Sequence, residues 1–107
     1  MDYSLATLPS REFIPGFHGK MIHGDHMSLV FWEVEAGAEV PAHAHENEQS
    51  MHVLEGRFSF CLDGTTREYG PGDLVLIPPH AEHSGKALTD CRLMDVFSPV
   101  REAYRAR

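Results

Sequence analysis

The chain has 107 residues, 42% hydrophobic and 23% charged, with nine Lys and Arg against sixteen Asp and Glu for a formal charge of -7. That length suits one core, in which folding buries roughly two-thirds of the surface of the unfolded chain, so residues 1–107 are expected to form a single domain. The acidic balance, uninterrupted by any basic tract, argues against nucleic acid and anionic membrane surfaces as partners, and the lack of an export leader or of an apolar run of ~18 residues predicts a cytoplasmic protein.

Along the chain, Gly and Pro recur at Pro15-Gly16, Gly37, Pro41, Gly56, Gly64, Gly70-Pro71-Gly72 and Pro78-Pro79, too closely for ordinary helices to fit between them. The intervening β-branched, aromatic and alternating segments predict strands at 27–35, 49–55, 57–62, 67–69, 73–77 and 91–97, the pattern of an all-β sandwich or small barrel. Asp63-Gly64 between two such segments predicts a tight hairpin, and only the tail, 100–107, reads as helical. Residues 28–34 are apolar on both strand faces, which suits either plain core packing or a homodimer contact. Cys61 and Cys91 match neither a disulfide framework nor a paired zinc motif and are expected to be buried thiols.

Chemistry concentrates in two stretches. In the first, His43 and His45 are one residue apart, so on a strand they would share a face; past a short turn at 46–48, Gln49 shares strand parity with the apolar Met51 and Val53 and should face inward with them. In the second, a strand ends at Pro78-Pro79 and delivers His83, free to point back toward the first cluster. His18, His23, His26, His52 and His80 lack such support, although His80 stands close to the turn that delivers His83.

These stretches resemble the paired motifs of the cupin superfamily, in which two histidines, a carboxylate and a third histidine bind one metal inside a small double-stranded β-helix, or jelly-roll, barrel. The resemblance implies one divalent ion held by His43, His45, Gln49 and His83, with Gln49 where most cupins carry Glu. A neutral His/His/Gln/His set leaves the ion its full charge and favours Lewis-acid work on an anionic substrate. The ligand types suit nickel, zinc or iron, with manganese behind them.

The His-x-His, Glu-Gln, Val-Leu-Glu-Gly, Ile-Pro-Pro and Asp-Val-Phe-Ser-Pro-x-Arg-Glu elements together are similar to those of the pectin-degradation cupins, which linearise 4,5-unsaturated monouronates. That resemblance implies a small anionic sugar as substrate, the same four metal ligands, and catalytic or substrate-binding roles for Asp95, Phe97 and Arg101. Asp95 is assigned to proton transfer, Arg101 to pairing the substrate carboxylate and Phe97 to packing against the sugar. An iron-dependent cupin dioxygenase and a non-catalytic sugar- or metal-sensing module are the rival expectations.

Overall fold

The computed structural model describes residues 1–106, which form two antiparallel sheets and one short helix. Strands β1 (Arg11–Ile14), β2 (Phe17–His23), β3 (Ser28–Val34), β10 (Cys91–Ser98), β5 (Glu48–Glu55) and β8 (Leu74–Ile77) lie side by side in that order in the larger sheet. The smaller sheet has the order β4 (Glu39–His43), β9 (His83–Ala87), β6 (Phe58–Leu62) and β7 (Thr65–Tyr69). Their inner faces meet over a core in which Val30, Trp32, Val53 and Leu93 of the larger sheet oppose Phe58 and Phe60 of the smaller. The all-β barrel expected from the sequence is the architecture observed.

The six expected strands are present, and four more, β1, β2, β4 and β9, join them. None of the four carries a strong strand pattern. Strand β4 contains Pro41 and lies at a sheet edge, the place where a missing ladder donor is tolerated. Strand β9, His-Ser-Gly-Lys-Ala, is held by ladders to β4 and β6 on either side. The Asp63-Gly64 hairpin is a two-residue loop with positive φ at both positions, 47° and 85°, as the sequence predicts.

The remaining differences are local. Strand β4 stops at His43, so His45 lies in the connection to β5 and does not share a strand with it. The helix α1 covers Glu102–Arg105 only; Val100 and Arg101 precede it, and Arg107 of the expected tail lies outside the described residues. Cys91 is buried as expected, but Cys61 is only half-buried, and both are free thiols. No helix among the described residues is long and apolar enough to cross a membrane.

Gly19 of β2 is paired directly with Trp32 of β3, and a Cβ at Gly19 would come within 2.6 Å of the indole ring. The missing side chain is what lets the Trp32 ring approach the β2 backbone so closely. Gly19→Ala is therefore expected to cost about 1–3 kcal/mol as an overpacking change, measured by urea unfolding, with a shift in Trp32 emission as the indole is pushed from its seat.

Candidate active site

Between the sheets lies a cavity of about 200 Å³ lined by His43, Gln49, His83, Asp95, Phe97 and Arg101 together with aromatic side chains of β1, β2, β3 and β6 and Tyr104 of α1. Six of the seven sequence-predicted site residues thus line one space, although they come from both sheets, and His45 adjoins them through His43, His83 and Gln49. His43 and His83 are cross-strand partners on β4 and β9. Gln49 opposes Phe97 across β5 and β10. His45 reaches in from the connection, its carbonyl pinned by the backbone N–H of His80 at 2.7 Å. His80 itself is exposed, so its contribution is through the backbone.

The imidazole nitrogens of His43, His45 and His83 approach within 4.8 Å of one another. Each ring donates its Nδ1–H to a backbone carbonyl two residues away: His43 to Pro41 at 2.9 Å, His45 to Asn47 at 3.1 Å, His83 to Ala81 at 2.9 Å. A carbonyl can only accept, so all three rings are held with the proton on Nδ1 and the lone pair on Nε2. Burial pushes the pKa of His45 down and that of His83 down to about 4, which keeps both rings neutral.

Two features of these lone pairs call for a cation. The buried Nε2 of His83 has no hydrogen-bond partner. The Nε2 of His45 faces Gln49 Oε1 at 3.1 Å, which brings two acceptors together with no proton between them. A divalent ion among the four side chains would satisfy both, and imidazole nitrogen with amide oxygen is a donor set that fits one.

Asp95 stands deeper, on the inner face of β10. Its Oδ2 accepts the indole N–H of Trp32 at 2.9 Å, the Gln49 amide adds a weaker interaction, and its Oδ1 has no partner. Burial raises its pKa to about 6 in spite of both neighbours. Asp95 therefore faces inward, among the residues that line the cavity.

Arg101 closes the other wall. Its guanidinium carbon lies 5.0 Å from the Tyr104 ring centre and 5.9 Å from that of Phe97, and its Nε is buried without a partner. The backbone is fixed from both sides: the Arg101 N–H donates to Ser28 Oγ at 2.8 Å, and Asn47 Nδ2 donates to the carbonyls of Pro99 and Val100 at 2.6 and 3.2 Å.

Trp32, Asn47 and Tyr104 shape the site and were not singled out in the sequence. For Trp32 a signal did exist, because a buried indole N–H and a buried carboxylate each demand a partner. Strand parity places both inward but does not say that they meet.

A two-sheet β-barrel with three converging histidines at its centre defines the class of barrel that builds a site between its sheets. The Cupin domain family matches residues 30–97, and the chain belongs to the cupins. Among solved structures, KdgF from Halomonas sp. is 30% identical with a TM-score of 0.90, over 95% of this chain and 97% of that one. An RmlC-like cupin from Shewanella frigidimarina is 29% identical with a TM-score of 0.91, over 95% and 93%. The H2HPP isomerase of Bacillus subtilis is 23% identical over 94% of this chain, which spans only 44% of that protein's length.

Two outcomes are expected. Trp32 is the one tryptophan of the chain and lines the cavity, so its emission should report a nickel or zinc titration that saturates at one ion per chain; His83→Ala should weaken binding by at least ~10-fold. The second concerns metal-free protein in chelator. The folded pKa of Asp95 lies above its ordinary 3.8, so the penalty of a buried charge is absent below that value and complete above about 6. Asp95→Asn should then be more stable than wild type at neutral pH by an amount on the order of 3 kcal/mol at most, with the gain fading as pH falls toward 4; urea unfolding against pH measures it.

Proposed function

We propose that this cupin opens and tautomerises 4,5-unsaturated monouronates. The observation that carries the reading is that the buried polar side-chain atoms without a hydrogen-bond partner among the described residues, His83 Nε2, Asp95 Oδ1 and Arg101 Nε, belong to residues lining one cavity. They are a lone pair for a cation, an acceptor for a proton and a donor for an anion. Such atoms are costly to leave unsatisfied, and a bound carboxylate-bearing substrate with a metal ion would satisfy all three.

A divalent ion held by His43, His45, Gln49 and His83 would supply Lewis acidity toward substrate oxygens; nickel, zinc and iron fit the donors, with manganese behind. Arg101 offers Nε–H and a terminal N–H side by side, the fork that grips a carboxylate, and the rings of Phe97 and Tyr104 hold the guanidinium in place. Phe97 also presents a flat wall for the sugar.

Asp95 Oδ1 is the proton carrier. It removes the proton of the anomeric hydroxyl as the bond from C1 to the ring oxygen breaks and an aldehyde forms, which leaves an enolate at C5. It then returns that proton to C4, giving the 5-keto acid. One proton moves between two substrate atoms, with no water or oxidant consumed. A carboxyl whose pKa lies near 6 can both accept and return a proton near neutrality.

The largely aromatic walls favour a second reading as well, in which the same Asp95 moves a double bond in a carboxylic acid with few hydroxyls. The Bacillus subtilis relative is by name an isomerase.

The test is steady-state kinetics on protein loaded in turn with nickel, zinc and iron, following loss of the unsaturated-uronate absorbance. Asp95→Asn is expected to retain the metal and lose on the order of 10²- to 10⁴-fold in turnover, while Arg101→Ala chiefly raises KM. Turnover near wild type in both variants would overturn the assigned roles. Oxygen uptake with reduced iron in place of uronate loss would favour a dioxygenase, and ligand binding without turnover a sensing module.

A further inference from the structure

Past the last cross-strand pair of β5 and β10, Glu48 with Ser98, the chain continues to Asn47 on one side and to Pro99 on the other. A proline has no N–H to donate, so the backbone ladder cannot go on there. The Asn47 side chain takes over: its Nδ2 donates to the Pro99 carbonyl at 2.6 Å and to the Val100 carbonyl at 3.2 Å. Both partners are carbonyls and can only accept, so both must meet the amide nitrogen, whose two N–H groups match them one for one. Asn47 is 3% exposed, and the bonds form where water does not compete for them.

The same residue touches the other half of the site through its backbone. The Asn47 carbonyl accepts the Nδ1–H of His45 at 3.1 Å, which leaves the opposite edge of that ring toward His43, His83 and Gln49. The His45 carbonyl is held in turn by the His80 N–H at 2.7 Å, in the connection that delivers His83. Arg101 follows directly on the two anchored carbonyls, and its own N–H is fixed on Ser28 Oγ at 2.8 Å. The His45 ring also packs on Phe97 with 5.7 Å between centroids, and the Arg101 guanidinium lies 5.9 Å from the same Phe97 ring. Ring packing limits how closely these groups approach but lets them slide, whereas the directed bonds of Asn47 remove that freedom.

We infer that Asn47 is a positioning residue that sets the span between a cation among the histidines and a carboxylate gripped by Arg101. The inference rests on the proposed role of Arg101 as the carboxylate clamp. A ligand held at both ends must match that span, so Asn47 acts on which acids fit as well as on how tightly they are held. Neither half needs the Asn47 side chain in order to exist. His43, Gln49 and His83 stand on β4, β5 and β9, and Ser28 keeps its own hold on the Arg101 backbone. What the amide adds is a fixed relation between the two halves, made by one residue that bonds to both.

Two double-mutant cycles, read by titration calorimetry on the full chain, test it. In the first, nickel is titrated into wild type, Asn47→Ala, His45→Ala and the double variant; Asn47→Ala is expected to weaken nickel binding by about 10-fold and to add nothing to His45→Ala, because it acts through that ring. In the second, galacturonate, which lacks the 4,5 double bond and cannot react, is titrated into nickel-loaded wild type, Asn47→Ala, Arg101→Ala and their double variant. Here Asn47→Ala should weaken binding by at least ~3-fold and again add nothing to Arg101→Ala. A merely structural loss would add to both partner substitutions. Wild-type affinity of Asn47→Ala for either ligand, or an effect that adds in full in either cycle, overturns the inference. A wild type that binds nickel but no galacturonate sinks the uronate reading instead, and the nickel cycle then decides the inference by itself. Should Asn47→Ala fail to fold, Asn47→Gln, which keeps both N–H groups but moves them by one methylene, takes its place in both cycles with the same deciding outcomes.

Discussion

Strand β10 runs between β3 and β5, and its register with both decides what enters the cavity. Asp95 opposes Val30 on one side and Met51 on the other, while Phe97 opposes Ser28 and Gln49. Trp32 is one step along the same inner face, opposite Leu93, which puts its indole within reach of the Asp95 carboxylate diagonally across the ladder. A slip of one residue in β10 would turn Asp95 and Phe97 outward and drive Met94 and Val96 inward. The apolar content of the inner face therefore protects the position of the one carboxylate placed among it.

Around that register the cavity is made of groups that are costly to bury and are each immobilised by something local. The histidine rings are tied by Nδ1–H to carbonyls only two residues away, so their orientation depends on the short segments that carry them and little on distant packing. Asp95 is tied to Trp32 and Arg101 to two aromatic rings. In each case one edge of the polar group is anchored and the opposite edge is left toward the cavity. The net charge of -7 opposes an anionic ligand at long range, but salt screens that field beyond about 8 Å, and within the cavity the apolar walls strengthen what Arg101 presents.

Much of this was legible in the sequence because strand parity is a strict period. Gln49, Met51 and Val53 share the inner face of β5, and Ser50, His52 and Leu54 the outer, as alternation alone requires. The Asp-Gly turn and the arrival of His83 after Pro78-Pro79 follow from equally local rules. What was not legible depends on neighbours distant in sequence. Strands β4 and β9 carry little strand propensity and exist because each completes the other's ladder, and His43 finds His83 through that pairing. The same limit separated Trp32 from Asp95, which are 63 residues apart in the chain. His45 is the opposite case: parity placed it on the strand of His43, but the strand ends at His43 and the His80 backbone N–H captures the following turn.

The alternation that makes the site legible also ties it to the other side of the sheet. Gln49 lies next to Ser50, Asp95 between Met94 and Val96, and Ile77 beside Leu76, so each inner residue shares its backbone with one on the apolar outer face. The side chains that could hold a cation, by contrast, are split between the sheets, with His43 and His83 on the smaller and Gln49 on the larger. Their convergence thus depends on how rigidly the larger sheet is held relative to the smaller one. The shared core sets that separation from inside, where Trp32, Val53 and Leu93 of the larger sheet and Phe58 and Phe60 of the smaller belong to one buried cluster.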